Sequence, residues 1–349
     1  MILVGNVSYQ GTASAAPPKS VRNWASAAAY CTLVLQLEYQ LLKRILKKFF
    51  VAYLATNVLG GIALAWLALH PLSDPISVLQ TERQRVVCQR HSVQLEEVSV
   101  SASDGAILRG WLLKPANPNG DIVLLLHGVK GNRAGMMPYA NFLTDHNYTV
   151  LATDARAHGS SGGPIATYGL LEKNDIHVWL AQVVDPIHPR CIFALGESMG
   201  AAQLLQSLPG ETRFCAVAAE SPFATFREVS YDRIGRPIHV GPWLGRTVFR
   251  LAIETGFLCT RWFYHVDMDR AAPIEAVQQT QIPIFLIHGM KDRNIPPRHS
   301  EQLQAHNPSI VLWKVPNAVH IAAFRVARAE FQEKILAWFA SHDKFAVAN

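Results

Sequence analysis

From Val93 onward the chain repeats one pattern: a short block of consecutive apolar residues, a polar break, then a longer stretch of helical periodicity. The apolar blocks are Ile122–Leu126, 150–152, 192–195, 216–218, 284–287 and 310–313. A block that is apolar at every position, rather than at alternate ones, is what a strand covered on both faces requires. Helical stretches fall between them at 135–146, 170–184, 199–208, 298–305 and 321–340. Ahead of the series, 95–101 and 107–114 flank Asp104-Gly105, a hairpin signal. This alternation predicts an α/β fold with a mostly parallel, doubly wound sheet and helices on both faces.

Two regions break the rhythm. Between the strands expected at 216–219 and 284–287 lie about sixty residues that include Pro237, Pro242, Trp243, Phe249, Phe257, Trp262, Phe263 and Tyr264. An insert of that length, here about 222–280, forms either a lid or a packed helical excursion. In both cases its aromatic residues are the expected walls of an apolar substrate pocket.

The other region is N-terminal. Residues 49–69, FFVAYLATNVLGGIALAWLAL, carry no charge. As a helix this segment rises roughly 31 Å, about the hydrocarbon thickness of a bilayer. Lys43, Arg44, Lys47 and Lys48 precede it and Trp66 stands near its end. A membrane span is expected, with the N-terminus cytoplasmic and the rest of the chain on the outer side. Ala63-Leu64-Ala65 resembles a signal-peptide cleavage site, but the basic group begins far from Met1, which favours an uncleaved anchor. The expected organisation is a tail and basic flank at 1–48, loose to about residue 24, and the anchor at 49–69. A polar linker at 70–92 and a catalytic domain at 93–341 follow. The stretch 30–46 has amphipathic character interrupted by Glu38, Lys43 and Arg44 and is not expected to span.

Composition changes this picture little. Half of the residues are hydrophobic and 17% are charged, with the apolar excess near the N-terminus. The net charge of +6 comes from scattered basic residues without a basic, aromatic-interleaved stripe, so no nucleic-acid partner is expected. The five cysteines show no C-x-x-C or zinc spacing. Cys191 and Cys215 open expected strands, where cysteine is commonly a small apolar filler. Neither a metal nor a cofactor is expected.

The chemistry centres on Gly196-Glu197-Ser198-Met199-Gly200, which sits between an apolar strand and a helix. A sharp strand–turn–helix junction presents the serine Oγ at the sheet edge, and the flanking glycines keep Cβ atoms out of the turn. Serine is a poor nucleophile near neutral pH and needs a base, itself oriented by an acid. Strand ends converge on one edge of such a sheet. Asp292 follows the strand at 284–287, and His320 lies between the last strand and the last helix. The order Ser198, Asp292, His320 is that of the α/β-hydrolase triad. Glu220, at the end of the strand at 216–219, is the competing acid; His127, His158 and His288 are weaker candidates for the base. The expected oxyanion donors are the backbone N–H groups of Met199 and Val129, with Lys130 as the alternative to Val129.

Together these residues resemble the serine-hydrolase branch of the α/β-hydrolase superfamily, nearest to membrane-anchored BEM46-like and bacterial YqkD-like hydrolases. The matching pieces are His127-Gly128 with Gly131-Asn132, the Asp154 to Ser161 block, Tyr168-Gly169, Gly196 to Gly200, Glu220 to Phe223, His288-Gly289-x-x-Asp292 and His320. The resemblance implies an α/β-hydrolase core, a Ser198–His320–Asp292 triad and metal-free hydrolysis of an ester, thioester or amide. It also implies that Asp154 is structural, bonding backbone N–H groups; Ala157 stands where the family often has glycine. The expected activity is that of a membrane-anchored carboxylesterase acting on a small-molecule or lipid-like acyl substrate. The alternatives are a serine peptidase, a protein-deacylating thioesterase or, with less support, a non-catalytic membrane binding module.

Overall fold

The computed structural model of the chain describes residues 19–234 and 242–344. Most of the expected tail, and Pro237, lie outside the described residues. The chain divides into two compact units, Met1–Thr56 and Asn57–Asn349. The boundary falls inside the first helix, α1, which runs without a break over Lys19–Leu69. The helix therefore begins ahead of the expected anchor and absorbs 30–46 as well. That stretch contains neither glycine nor proline, and its charged residues are good helix formers that stand exposed.

The segment expected as a polar linker contains a second helix, α2 (Val78–Arg90), started by a capping box between Ser77 and Gln80. It docks on the body: Cys88 is buried in the main core, and the Gln84 side-chain amide donates to Asn141 Oδ1 at 2.9 Å.

Strands β1 (Val93–Ser101) and β2 (Ile107–Pro115) form the expected hairpin. They are followed by β3 (Ile122–Leu126), α3 (Met137–Asp145), β4 (Thr149–Thr153), α4 (Glu172–Trp179), β5 (Ile192–Glu197), α5 (Met199–Ser207) and β6 (Phe214–Glu220). The insert then supplies α6 (Phe226–Ile234), α7 (Pro242–Arg246), α8 (Arg250–Phe263) and the short α9 (Pro273–Ala276). The chain returns through β7 (Ile284–Gly289), α10 (Arg298–His306), β8 (Val311–Val315), α11 (Ala323–Val326) and α12 (Arg328–Ser341). The sheet has the order β1-β2-β4-β3-β5-β6-β7-β8, antiparallel through β1, β2 and β4 and parallel from β4 to β8.

The uninterrupted apolar blocks are explained by the layers they separate. In β3, Val123 and Leu125 face a core completed by Phe142 and Leu143 of α3 and by Phe331, Ile335 and Phe339 of α12. Ile122, Leu124 and Leu126 face the opposite core with Trp179, Leu204, Leu205 and Leu303. All five β3 residues are buried. Burying a side chain of this size stabilises by roughly 1.5–3 kcal/mol, so polar substitution on either face is costly.

The cysteine reading needs correction. Cys191 and Cys215 are joined in a disulfide, Cα atoms 5.7 Å apart, tying the start of β5 to β6. Cys215 is the extra residue of a register shift between these strands, which carries it across to Cys191. A separation of 24 residues in sequence concealed a contact made by sheet pairing.

Candidate active site

Strand β5 ends at Glu197 and α5 begins at Met199, so Ser198 must reverse the chain in one residue. It does so at φ 52° and ψ −111°, a left-handed-side conformation that L-residues rarely adopt. The crossing is so close that a Cβ on Gly196 would stand 2.7 Å from the carbonyl carbon of Gly200. One on Gly200 would stand 2.4 Å from Leu126 O. The Ser198 N–H donates to Glu220 O at 2.8 Å, fastening the elbow to the end of β6.

The three expected triad residues come together. The Ser198 hydroxyl lies 2.8 Å from His320 Nε2, and His320 Nδ1–H donates to Asp292 Oδ2 at 2.7 Å. Because a carboxylate can only accept, the Nδ1 proton sits toward Asp292 and Nε2 is left to accept the serine proton. Asp292 Oδ1 in turn accepts the N–H groups of Asn294 and Ile295, at 2.8 and 3.0 Å. Burial raises the Asp292 pKa, but hydrogen bonds from His288 and His320 and the charge of His320 outweigh it. The carboxyl is held well below the ordinary carboxylate range.

Glu220, the competing acid, is elsewhere. Its carboxyl accepts from Ala323 N–H at 2.9 Å and lies 3.3 Å from the Tyr139 hydroxyl. His127 donates from Nδ1 to Gly128 O at 2.7 Å and accepts the Ala155 N–H at Nε2 at 3.1 Å. Burial pushes its pKa down to about 3, so it is a neutral brace of the turn. His158 is bonded to Arg156 O and does not reach Ser198. Asp154 accepts the N–H groups of Arg133 and Ser160, both at 2.7 Å, and pairs with the Arg133 guanidinium. Ala157 has φ 56°, the conformation for which glycine is the easier residue.

Met199 is the first residue of α5, so its N–H has no intrahelical carbonyl to bond. Gly128 packs against the nucleophile: a Cβ there would stand 3.4 Å from Ser198 Cβ. Val129 and Lys130 follow it on the side where an apolar cavity of about 350 Å³ opens. Phe226, Val229 and Phe257 of the insert line that cavity, as does Tyr168.

A family model described as "Alpha/beta hydrolase family" matches residues 123–331, from β3 to the start of α12. The chain belongs to this family. Among curated proteins it is similar to the uncharacterized protein YfhR of Escherichia coli strain K12, 26% identical over 237 residues. That alignment covers 66% of this chain and 74% of YfhR. It is equally similar to the uncharacterized protein YqkD of Bacillus subtilis strain 168, 26% identical over 250 residues, covering 69% of this chain and 79% of YqkD. Among solved structures, the Pyrococcus furiosus esterase Pf2001 superposes with a TM-score of 0.61 at 22% identity, over 79% of this chain and all of that one. Pyrococcus horikoshii acylaminoacyl peptidase gives 0.57 at 15% identity, over 76% of this chain and 44% of that one. At these identities the likeness is one of fold.

His288, a weaker candidate for the base in the sequence, serves the turn instead, and its ring is fully buried behind Asp292. Nδ1 lies 2.7 Å from Ser300 Oγ, and Nε2–H donates to Ile295 O at 2.8 Å, with Asp292 Oδ2 3.5 Å away. It braces the turn that aims Asp292, and its place four residues before Asp292 was the available signal. Glu197 was read only as the variable position of the Gly-x-Ser-x-Gly motif. Burial pushes its pKa up to about 7 and that of Glu220 up to about 8, a paired acidic layer beneath the elbow.

Proposed function

We propose that this protein is a serine hydrolase that cleaves carboxylic esters of apolar acyl groups through an acyl-enzyme intermediate. The observation that carries the reading is the continuous hydrogen-bonded line Ser198–His320–Asp292 beside an apolar cavity. Ser198 Oγ attacks the ester carbonyl as its proton passes to His320 Nε2. The oxyanion is met by the N–H groups of Met199 and Val129. Collapse of the tetrahedral adduct expels the alcohol, which takes the proton from His320. Water activated by the same imidazole then releases the acid and restores the serine.

The ester reading is favoured over a peptidase that recognises a free amine. Such a pocket needs an uncommitted carboxylate, and the three insert acids that could serve, Glu228, Asp232 and Glu254, are engaged by cations. Glu228 and Asp232 each pair with Arg246 and Arg298, and Glu254 pairs with Arg227. A thioesterase acting on acylated proteins uses the same machinery and is the second reading.

α1 is proposed as an uncleaved membrane anchor, N-terminus cytoplasmic, with the hydrolase on the outer side. The 44-residue stretch Ser26–Leu69 is long and apolar enough to cross a bilayer. The Cys191–Cys215 disulfide supports the sidedness, because such bonds persist in oxidising compartments and are rare in the cytosol. The test is Ser198→Ala assayed on p-nitrophenyl butyrate. Loss of turnover with an unchanged fold is expected; turnover that persists in the variant contradicts the assignment.

A further inference from the structure

The last turns of α1 do more than lead out of a membrane. Asn57, Gly61, Ala65 and Leu69 recur every four residues and therefore share a face. All four are buried. Their neighbour is α8 of the insert. Asn57 Oδ1 accepts the Ala252 N–H at 3.2 Å, and a Cβ at Gly61 would stand 2.4 Å from Ala252 O and 2.6 Å from Thr255 Cβ. A Cβ on Gly256 would stand 3.3 Å from Gly61 O. The two backbones thus meet across a pair of glycines, the packing that helices use inside membranes.

The end of α1 is also fastened to the catalytic body. Ala166 N–H donates to Leu69 O at 2.8 Å, and the Tyr168 hydroxyl donates to Ala68 O at 3.0 Å. Two carbonyls that a helix end leaves open are thereby met by the segment that leads into α4. This places α1 beside the cavity. Leu64, Ala68 and Pro71 form one side of it, and Val229 and Phe257 lie among the residues of the other sides. Val129, which lines it, is the chain neighbour of Gly128, and Gly128 packs against Ser198. A volume of about 350 Å³ falls within the range of small-molecule pockets. Both helices also present large apolar side chains to the outside: Trp66 and Leu67 on α1, and Leu258, Trp262 and Phe263 on α8, each at least half exposed. Aromatic residues so placed beside an apolar span are what the interface of a bilayer receives.

We infer that residues 64–71 form one wall of the acyl-chain site and that the substrate is a long-chain acyl ester of a membrane lipid. The lipid reaches Ser198 from the bilayer in which the outer faces of α1 and α8 rest. This rests on the serine-hydrolase reading above and adds to it the source of the substrate. It also requires α1 to stay attached, since cleavage after Ala65 would remove Leu64 from the cavity and the Asn57–Gly61–Ala65 face from α8.

The test uses the full chain in phosphatidylcholine vesicles. It compares kcat/KM for p-nitrophenyl palmitate with that for p-nitrophenyl butyrate in the wild type, Ala68→Trp and Ala68→Leu. Ala63→Trp, an exposed position of the same helix outside the cavity, is the control. Excluding room for a methylene or more from an apolar pocket costs about tenfold or more in discrimination. The palmitate-to-butyrate ratio is expected to fall at least about tenfold in Ala68→Trp, less in Ala68→Leu, and to hold in Ala63→Trp. An unchanged ratio in folded Ala68→Trp overturns the proposal; should that variant not fold, an unchanged ratio in Ala68→Leu does so. A second arm compares a fluorogenic palmitoyl glycerophospholipid in the vesicles with an S-palmitoyl peptide in solution, and preference for the peptide overturns the lipid assignment. Absence of turnover on every ester, together with absence of a fluorophosphonate adduct, identifies failure of the serine-hydrolase reading itself, and this proposal falls with it.

Discussion

Asp292→Asn isolates the role of the acid without altering its shape. Asp292 Oδ1 accepts two backbone N–H groups, from Asn294 and Ile295, while Oδ2 accepts the His320 Nδ1 proton. An asparagine must keep its oxygen toward the two N–H donors, because an amide NH2 group cannot accept from them. Its NH2 then faces His320 Nδ1, which becomes an acceptor and forces the ring proton onto Nε2. That nitrogen, 2.8 Å from Ser198 Oγ, can no longer take the serine proton. In the serine-protease template this reversal of tautomer lowers kcat by about 10⁴. At 1.36 kcal/mol per decade, that is roughly 5 kcal/mol of lost transition-state stabilisation. The assay is steady-state hydrolysis of p-nitrophenyl butyrate with a thermal melt in parallel, and the loss is expected in kcat rather than in KM. A folded variant retaining more than a tenth of wild-type kcat would refute the assignment of Asp292.

Two further predictions concern stability. Replacing Cys191 and Cys215 with serine opens a link spanning 24 residues, for which the chain-entropy relation gives about 3 kcal/mol. Denaturant unfolding should show a loss of that order in the double variant, and an unchanged midpoint would contradict the bond's structural role. The second is the pH dependence set by the acids beneath the elbow. Burial first, then the charge of Glu197, raises Glu220 to about 8, so the folded state holds a proton that the unfolded chain releases above the ordinary glutamate range. The stabilisation is complete below that range and is lost as pH rises toward 8, by at most about 1.4 kcal/mol per pH unit for one glutamate. Glu220→Gln, which mimics the protonated form, should flatten the decline between pH 5 and 8; identical slopes would refute the assignment.

Much of this fold was legible because burial on both faces leaves a plain mark. The all-apolar blocks at 122–126, 192–195 and 284–287 each became a strand; the first matches end to end, and the other two run two residues further, to Glu197 and Gly289, where the backbone still pairs in the sheet. The elbow was legible for a similar reason, since Gly196 and Gly200 are demanded by contacts too close for any Cβ. What stayed hidden depended on partners remote in sequence. The disulfide required knowing that β5 and β6 are neighbours and out of register at Cys215. The end of α1 reads alone as a free membrane span, because nothing in residues 57–69 announces α8, almost two hundred positions later. The place of His288 at a strand end before glycine pointed to the turn, but its partners, Ser300 Oγ and Ile295 O, lie further along the chain and were not legible. Glu220 ends β6 whereas Asp292 lies in the turn beyond β7, a difference already visible in the sequence, and the structure gives the two acids separate partners, His320 for Asp292 and the Ala323 N–H for Glu220.

The central claim, that Ser198 is a nucleophile activated by His320, is tested most directly by locating the covalent adduct. The full chain is treated with a fluorophosphonate probe, digested, and mapped by tandem mass spectrometry, alongside His320→Ala. The account predicts one stoichiometric adduct on the Ser198 peptide of the wild type and labelling slowed by at least about a hundredfold in the variant, from loss of the general base. An intact, folded protein that takes up no probe at Ser198, or labels equally fast without His320, would contradict it.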